Sequence, residues 1–234
     1  MKTKLFFSLC FAMVTGLVWA QTGKVRTFSD FSGLRISGPF DVYLEQGDAP
    51  QVRIDGDNEA VEKIETELDG NTLRIRLKDE KNNWKWWNDH DDIKVYVTYR
   101  SLRELHVSGS GDIFGRSPIR SESFEVRGSG SGDIELADVQ TDHLEVSMSG
   151  SGDLEIAGRA REQDLRVSGS GDIEAFGLKS ERAHVSISGS SDINLNVSES
   201  LEASVSGSGD IRYKGQPRIE RMRVSGSGEI RQAN

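Results

Sequence analysis

The sequence predicts an all-β fold, namely a right-handed parallel β-helix (a solenoid) of about 20-residue coils with an irregular β-rich N-terminal part. The first observation behind this prediction is a repeated motif, Ser-Gly-Ser-Gly-Asp-Ile, because a fixed period of this length is typical of solenoids. A degenerate copy lies near the start, at residues 37–42. The acidic position of the motif recurs at Asp112, Asp133, Asp153, Asp172, Asp192, Asp210 and Glu229.

The second observation is that apolar and polar residues alternate with period two through the repeats, which predicts β-strands with one buried face. Residues 144–156, 165–175 and 183–197 share this parity. A helix would instead need apolar spacings of three and four. The parity points Val167 inward, and we expect it to stack with the valines of the other repeats. These are Val107, Val126, Val146, Val185, Val205 and Val224.

The direction of the repeats decides between two ways of stacking the strands. Hairpins would need tight turns of the Asn-Gly kind between antiparallel partners. The copies instead follow one another in the same direction, which favours parallel stacking. We therefore predict a parallel β-helix over residues 105–234, with coils about 4.8 Å apart and the right-handed connection that crossovers prefer.

Residues 1–20 are predicted to be a signal peptide that is cleaved off. Lys2 and Lys4 form a basic start, residues 5–18 are an apolar run, and small residues around Ala20 suit a cleavage site. The run is short for a membrane span, so we expect no transmembrane segment after cleavage. The alternative is an uncleaved membrane anchor.

Residues 21–104 differ in texture and are predicted to form irregular β coils that cap the solenoid. Asp57 precedes a predicted helical turn, and Gly70 lies in a predicted turn between two strands. Terminal units of solenoids are usually atypical, because they must cover an open end. Strand-like alternation occurs at residues 40–44, 51–54, 73–77 and 93–97.

The charge of the chain narrows the choice of partner. Without Lys2 and Lys4, 27 of the 29 basic residues remain against 38 acidic ones, a net charge of −11. Nucleic acid and anionic lipid are therefore poor candidate partners. Residues 212–234 are the exception, with six basic and two acidic residues. We expect a monomer, with weak and salt-sensitive head-to-tail association at high concentration.

Three features together resemble a known family. They are the stretch Ile-Glu-Thr-Glu-Leu…Asn-Thr-Leu-Arg-Ile at 64–76, the strand that begins at Ile93, and the Val-Ser-Gly-Ser-Gly-Asp-Ile repeats. With the export signal, they resemble the auto-transporter adhesins with the head GIN domain over nearly all of the mature chain. The resemblance implies a β-helical, exported protein of Gram-negative bacteria. It implies no particular site residue.

The acidic positions of the repeats form the first candidate site. If the coils are in register, the carboxylates of Asp112, Asp133, Asp153, Asp172, Asp192 and Asp210 stack about 5 Å apart. Neighbouring carboxylates then repel by roughly 1 kcal/mol in water. A weakly bound calcium ion could offset this, since calcium prefers several oxygen ligands. We favour the alternative, in which each carboxylate accepts hydrogen bonds from backbone N–H groups.

The paired serines of the repeats form the second candidate site. They could present a hydroxylated strip to a polymer with a matching repeat, such as a polysaccharide. The simpler interpretation is that small polar residues keep a stacked surface soluble, and we favour it. The pairs are Ser108/Ser110, Ser129/Ser131, Ser149/Ser151, Ser168/Ser170, Ser188/Ser190, Ser206/Ser208 and Ser225/Ser227.

The third candidate site is the segment 82–92, which contains Trp84, Trp86, Trp87 and His90. It has no strand period and is predicted to protrude as a loop. Exposed tryptophans beside Asn and Asp suit stacking on sugar rings or anchoring a protein partner. Alternatively, some of the tryptophans fold over the open end as a plug. A metal site at His90 is disfavoured because the spacing of its acidic neighbours matches no familiar site.

An enzyme is the rival function, because parallel β-helices also include pectin-degrading enzymes, and a fold alone does not decide function. His106, His143 and His184 lie in separate repeats with no common acidic partner apparent in the sequence. We therefore predict no catalytic residues and no cofactor other than the weak calcium. The predicted protein is a non-catalytic adhesin or binding module for a glycan or protein at the cell envelope. It is exported to the periplasm, the outer surface or the medium; the alternative is a pectinase-like enzyme.

Overall fold

The computed structural model describes residues 24–56, 58–78 and 93–233, which form a nearly all-β solenoid of about six turns with coils about 20 residues apart. The predicted fold class is thereby confirmed. A short helix, α1 (Asn58–Lys63), lies between β4 and β5. The strands are β1 (Lys24–Thr27), β2 (Gly33–Gly38), β3 (Asp41–Gln46), β4 (Gln51–Asp55), β5 (Ile64–Asp69), β6 (Thr72–Leu77), β7 (Lys94–Tyr99), β8 (Glu104–Gly109), β9 (Ile113–Gly115), β10 (Ile119–Gly130), β11 (Ile134–Gly150), β12 (Leu154–Gly169), β13 (Ile173–Gly189), β14 (Ile193–Gly207), β15 (Ile211–Lys214), β16 (Arg218–Gly226) and β17 (Ile230–Gln232).

The coils stack their strands in parallel, as the direction of the repeats predicts. One stack contains β2, β8, the C-terminal parts of β10 to β14, and β16. We call the outward side of this stack the serine face. A second stack contains β3, β9, the N-terminal parts of β11 to β14, β15 and β17. The intervening segments of β10 to β14 stack as well, so that Ile119 lies opposite Val139.

The N-terminal end is built out of sequence order. The degenerate copy of the motif is a true coil, because Ser37 lies in register with Ser108. On its other side, β6 pairs with β2 and β7 pairs with β3, both in parallel. Antiparallel β5, β4 and β1 then complete this end. We call this end the cap. Its expected role in covering the solenoid, and its boundary at residue 104, stay predictions.

Local signals in the cap are confirmed. The helix α1 begins directly after Asp57, as predicted. Gly70 joins β5 to β6 with a φ of 58°. This is the left-handed region that glycine adopts without strain. The antiparallel turn from β5 to β6 is therefore explained by its glycine.

The core confirms the predicted parity but corrects one column. Val167 is buried, yet its neighbours in register are Met148 and Ile187. Val146 lies opposite Leu165, in the adjacent inward column, so the single valine column was wrong. The reason is that the Gly-Asp corner sets the register of each coil. Val167 lies five residues before the aspartate of its own repeat, whereas Val126, Val146 and Val185 lie seven residues before theirs.

The glycine that begins each corner is required by the close approach of neighbouring coils. Gly150 has a φ of +122°, and a Cβ there would lie 2.2 Å from the carbonyl oxygen of Gly130. The N–H of Ser151 donates a 2.9 Å hydrogen bond to that same oxygen. A side chain at this position would therefore break the ladder that holds successive coils together.

Candidate functional site

The aspartates stack in register and are joined by hydrogen bonds from coil to coil. The N–H of Asp133 donates to Oδ1 of Asp112 at 2.9 Å. The same bond recurs along the column, at 2.7 to 3.2 Å, from Asp41 to Glu229. This confirms the favoured interpretation that backbone N–H groups satisfy the carboxylates. The remaining bonds are Asp112 to Asp41, Asp153 to Asp133, Asp172 to Asp153, Asp192 to Asp172, Asp210 to Asp192 and Glu229 to Asp210.

Positive charge reaches the column at two places in the described chain. At the last of its coils, Nε of Arg231 lies 3.8 Å from Glu229. The guanidinium of Arg212 lies 3.4 Å from Asp192 and 3.8 Å from Asp210. Within the described ranges, no group of three or more His, Cys, Asp or Glu residues is placed to hold a metal ion. Calcium binding along the column stays a prediction, and one oxygen of each carboxylate is already engaged by the backbone.

The two serines of each motif have different surroundings. The first serine points outward from the serine face, in register with its equivalents, so that Ser129 lies between Ser108 and Ser149. The second serine lies at the corner, where the N–H of Ser131 donates to the carbonyl oxygen of Gly109. The expected hydroxylated strip is therefore formed by the first serines, which we call the serine column: Ser37, Ser108, Ser129, Ser149, Ser168, Ser188, Ser206 and Ser225.

Beside the serine column runs a second outward column that is rich in arginine. It consists, in register, of Arg74, Arg35, His106, Arg127, Ser147, Arg166, Ser186, Ser204 and Arg223. From the cap as far as Ser186 and Ser188, the two columns line a groove of about 740 Å³, which we call the serine–arginine groove. Long side chains beside short ones give the groove its depth. Arg76, in register with Ser37, closes the cap end of the serine column.

Three serine hydroxyls in the groove are loosely engaged. The Oγ atoms of Ser108, Ser129 and Ser149 lie 3.3, 3.4 and 3.5 Å from carbonyl oxygens of the preceding coil. These distances are long for O–H···O hydrogen bonds. The hydroxyls are therefore able to turn toward a bound molecule and to donate or accept.

Most arginines of the groove are paired with acids. Arg127 contacts Glu125, and Arg166 lies 3.0 Å from Glu145. Arg166 also lies 2.5 Å from Asp164. Burial raises the pKa of Asp164, and the charge of Arg166 acts in the opposite direction. Positively charged arginines and negatively charged acids therefore lie side by side along one wall of the groove.

The comparisons with known proteins agree with this architecture. Residues 30–217 match the family described as "Putative auto-transporter adhesin, head GIN domain". The chain belongs to this family. No curated protein matches it.

Solved structures share the fold of this head GIN domain. A crystal structure of a "putative adhesin" from Bacteroides fragilis has a TM-score of 0.81 and 25% identity, and covers 92% of this chain and 98% of its own. A "putative lipid binding protein" from Parabacteroides distasonis has a TM-score of 0.70 and 28% identity, with coverages of 91% and 97%. A "putative adhesin" from Parabacteroides merdae has a TM-score of 0.69 and 23% identity, with coverages of 91% and 96%, and shows the fold alone.

This head GIN domain also contains a charged network that the sequence did not reveal. Nδ1 of His143 lies 2.9 Å from Glu162 of the next coil. Its Nε2 lies 3.2 Å from the guanidinium of Arg161, and Arg182 holds Glu162 from the following coil. A hydrogen bond from Arg182 holds the pKa of Glu162 below its usual value. The one-coil offset between His143 and Glu162 was the signal available in the sequence, because the repeat places residues about 20 apart side by side.

An aromatic stack lies on the outward side of the second stack, near the cap. Tyr43 lies between Tyr96 and Phe114, with both ring centroids at 5.0 Å. Arg53 covers the Tyr96 ring at 3.9 Å. Because the ring faces are occupied by one another and by guanidinium groups, this stack stabilises the ladder and offers little open surface to a sugar. The tryptophan segment, with Trp84, Trp86, Trp87 and His90, lies outside the described residues.

Proposed function

We propose that the protein is an exported, non-catalytic adhesin that binds a glycan along its serine–arginine groove. The observation that carries the proposal is the groove itself, about 740 Å³ in volume and lined by serines in register from coil to coil. A surface that repeats at each coil suits a ligand that repeats as well, and a polysaccharide has this property. Family membership supports an adhesin-like role without naming the partner.

The location of the protein follows from its proposed role. An adhesin acts outside the cytoplasm, and the basic and apolar pattern of residues 1–20 supports export by a cleaved signal peptide. We propose a Gram-negative cell envelope, with the periplasm, the outer surface and the medium as its possible destinations. Mass spectrometry of the mature N-terminus and fractionation of the cells test both parts of this proposal.

The absence of catalysis is part of the proposal, and a pectinase-like enzyme is its rival. The His143 network supports a structural role, because both ring nitrogens have charged neighbours within 3.2 Å. The side chains of His143 and Glu162 are also 48% and 41% exposed. Exposure of this kind weakens the electrostatic effects that catalytic carboxylates and imidazoles need. Turnover of a uronate polymer above that of heat-inactivated protein would establish the rival.

A glycan array with matched variants tests the binding proposal. Ser149→Phe places a bulky ring on the floor of the groove, and Glu155→Phe places the same ring on an exposed position of the second stack, six residues later. We expect the unmodified protein to bind at least one glycan, Ser149→Phe to abolish that binding, and Glu155→Phe to preserve it. An array without binders, or equal binding by both variants, contradicts the proposal.

A further inference from the structure

The cap end of the serine–arginine groove concentrates positive charge on adjacent strands. Arg35 lies directly opposite Arg74, and Arg76 lies opposite Ser37 in the same pair of strands. Neighbouring strands are about 4.8 Å apart. Like charges placed opposite each other in a sheet are destabilising. A cluster of this kind therefore favours a negatively charged partner.

The acids that neutralise the groove elsewhere are missing beside Arg35. Two residues before Arg127 and Arg166 stand Glu125 and Asp164, which pair with them. Two residues before Arg35 stands Gly33. In the part of the chain that the structure describes, no ion pair includes Arg35, and its side chain is exposed.

The other two arginines of the cluster form ion pairs with acidic residues of β5. Arg74 lies 2.6 Å from Asp69, and Arg76 lies 2.8 Å from Glu65. Both acids lie across the antiparallel β5–β6 pair, away from Arg35. Nε of Arg74 is shielded from solvent and has no hydrogen-bond partner among the described residues. Glu67 also lies opposite Arg74, so Arg35 is the arginine of the cluster whose positive charge has no acidic partner among the described residues.

His106 lies on the other side of Arg35. It lies in register with Arg35, and its Nε2 is buried without a hydrogen bond within the described chain. Burial lowers the pKa of His106; Glu125 and Glu104 act against this, and Arg35 and Arg127 act with it. Burial therefore disfavours the protonated imidazole, although its Nε2 lies 3.7 Å from Glu125. An anion bound at Arg35 would favour its protonated form, which makes His106 a reporter of occupancy.

We propose that Arg35, Arg74 and Arg76 form a binding site for the anionic groups of an acidic polysaccharide whose chain continues along the serine column. This inference rests on the proposed function and names the class of its ligand. Guanidinium groups recognise carboxylate and sulfate oxygens with paired hydrogen bonds, and both anions occur on such polymers. Beyond Arg35, arginine returns on alternate coils at Arg127 and Arg166, roughly 10 Å apart. Because acids already pair with Arg127 and Arg166, the main anionic contact is placed at Arg35.

The observations favour a polysaccharide over a lipid surface. A flat bilayer cannot reach a serine floor that lies beside longer arginines. The exposed large apolar side chains of the described chain, which would enter a membrane, all lie away from the groove. They are Val25, Ile219, Met222 and Val224. Although the whole chain carries a net charge of −9, Arg35 gives this end of the groove an exposed positive charge that no acid of the described chain pairs with.

The test compares Arg35→Gln with Arg159→Gln, which makes the same change of charge at an exposed position on another face. The probes for calorimetry are an oligogalacturonate, a sulfated oligosaccharide, a neutral oligosaccharide of equal length, and phosphatidylglycerol vesicles. We expect Arg35→Gln to weaken binding of at least one anionic oligosaccharide by about tenfold or more, as for a charged hydrogen bond. Arg159→Gln should leave it unchanged. The pKa of His106, followed by NMR, should rise when that oligosaccharide binds.

The outcomes separate the inference from the function on which it rests. Equal binding of neutral and anionic oligosaccharides, unaffected by Arg35→Gln, overturns the inference and leaves the proposed glycan binding intact. If the protein binds neither these oligosaccharides nor any glycan on the array, both the inference and the proposed function are overturned. Arg35-dependent binding to the vesicles, without binding to either anionic oligosaccharide, makes the cluster a lipid headgroup site and overturns the polysaccharide.

Discussion

The backbone N–H of Asp153 donates a 2.8 Å hydrogen bond to the carboxylate Oδ1 of Asp133. Each aspartate from Asp112 to Asp210 is thus a donor to the coil before it and an acceptor for the coil after it. Charge-assisted bonds of this kind are stronger than neutral ones. The column therefore helps to hold the coils in register, and it offsets the repulsion among its own charges.

Asp133→Ala should lower the free energy of unfolding by about 1 kcal/mol, because it removes the acceptor of the Asp153 N–H. Asp133→Asn should lose less, since the amide oxygen can still accept. Urea unfolding measures both. Asp142→Ala is the control, because Asp142 is exposed and its nearest basic partner, Arg161, lies 3.9 Å away. Equal losses for Asp133→Ala and Asp142→Ala would contradict the structural role of the column.

Calcium should give no stoichiometric heat when it is titrated into the metal-free protein. Oδ1 of Asp133 and of its equivalents already accepts a backbone hydrogen bond, and each coil supplies one carboxylate where calcium prefers six to eight oxygen ligands. Isothermal calorimetry at low ionic strength is the measurement. A saturable heat that disappears in Asp153→Asn would show instead that the column is a cation site.

Val167→Asp should cost several kcal/mol of stability, because it buries an unpaired carboxylate between Met148 and Ile187. Ser168→Asp, one residue later on the exposed side, should cost far less. Thermal unfolding followed by circular dichroism compares the two. Equal melting temperatures would mean that the parity of the strands is different from the one described.

The fold was largely predictable because the sequence shows both a repeat of about 20 residues and an alternation of apolar and polar residues with period two. Register was predictable only from the corner, where the close approach of Gly150 to Gly130 leaves no freedom. The positions of the valines gave the wrong register, because adjacent inward columns accept the same apolar residues. The cap was not predictable in detail, since β6 and β7 add to β2 and β3 from later in the chain.

The candidate site was predictable only in part. The serine column follows directly from the repeat, and the structure separates it from the second serines at the corners. The arginine cluster depends on the pairing of Arg35 with Arg74, which lies 39 residues later on a strand that adds to β2 without the repeat motif. No repeat unit contains that contact. Net charge was also a poor guide, because it averages over faces that carry opposite signs.

Trp84, Trp86 and Trp87 provide a separate test, because the segment that contains them lies outside the described residues. If they form a contact surface, tryptophan emission should be red-shifted and readily quenched by iodide. Changing all three to Ala should then leave the melting temperature nearly unchanged and reduce binding to envelope material. Blue-shifted, protected emission and a large loss of stability would show a plug. His90→Ala serves as a control that retains the tryptophans.

The last described coil leaves an apolar strand uncovered. Ile219, Met222 and Val224 on β16 are 42%, 38% and 45% exposed. Within the described ranges, β16 pairs on one side only, with β14. At the cap end β5 likewise pairs only with β6. Free strand edges of this kind are templates for pairing with another chain.

Charge on the two free edges favours weak head-to-tail association of copies. β16 carries Arg221 and Arg223, and β5 carries Glu65 and Glu67, whereas tail-to-tail contact would oppose like charges. We expect a monomer at low concentration and association at high concentration that weakens as salt increases. Arg223→Glu should suppress this association, and a mixture of Arg223→Glu with Glu67→Lys protein should restore contact between unlike copies. Light scattering at several protein and salt concentrations measures this association. A tight dimer that survives high salt would contradict a weak, charge-driven contact.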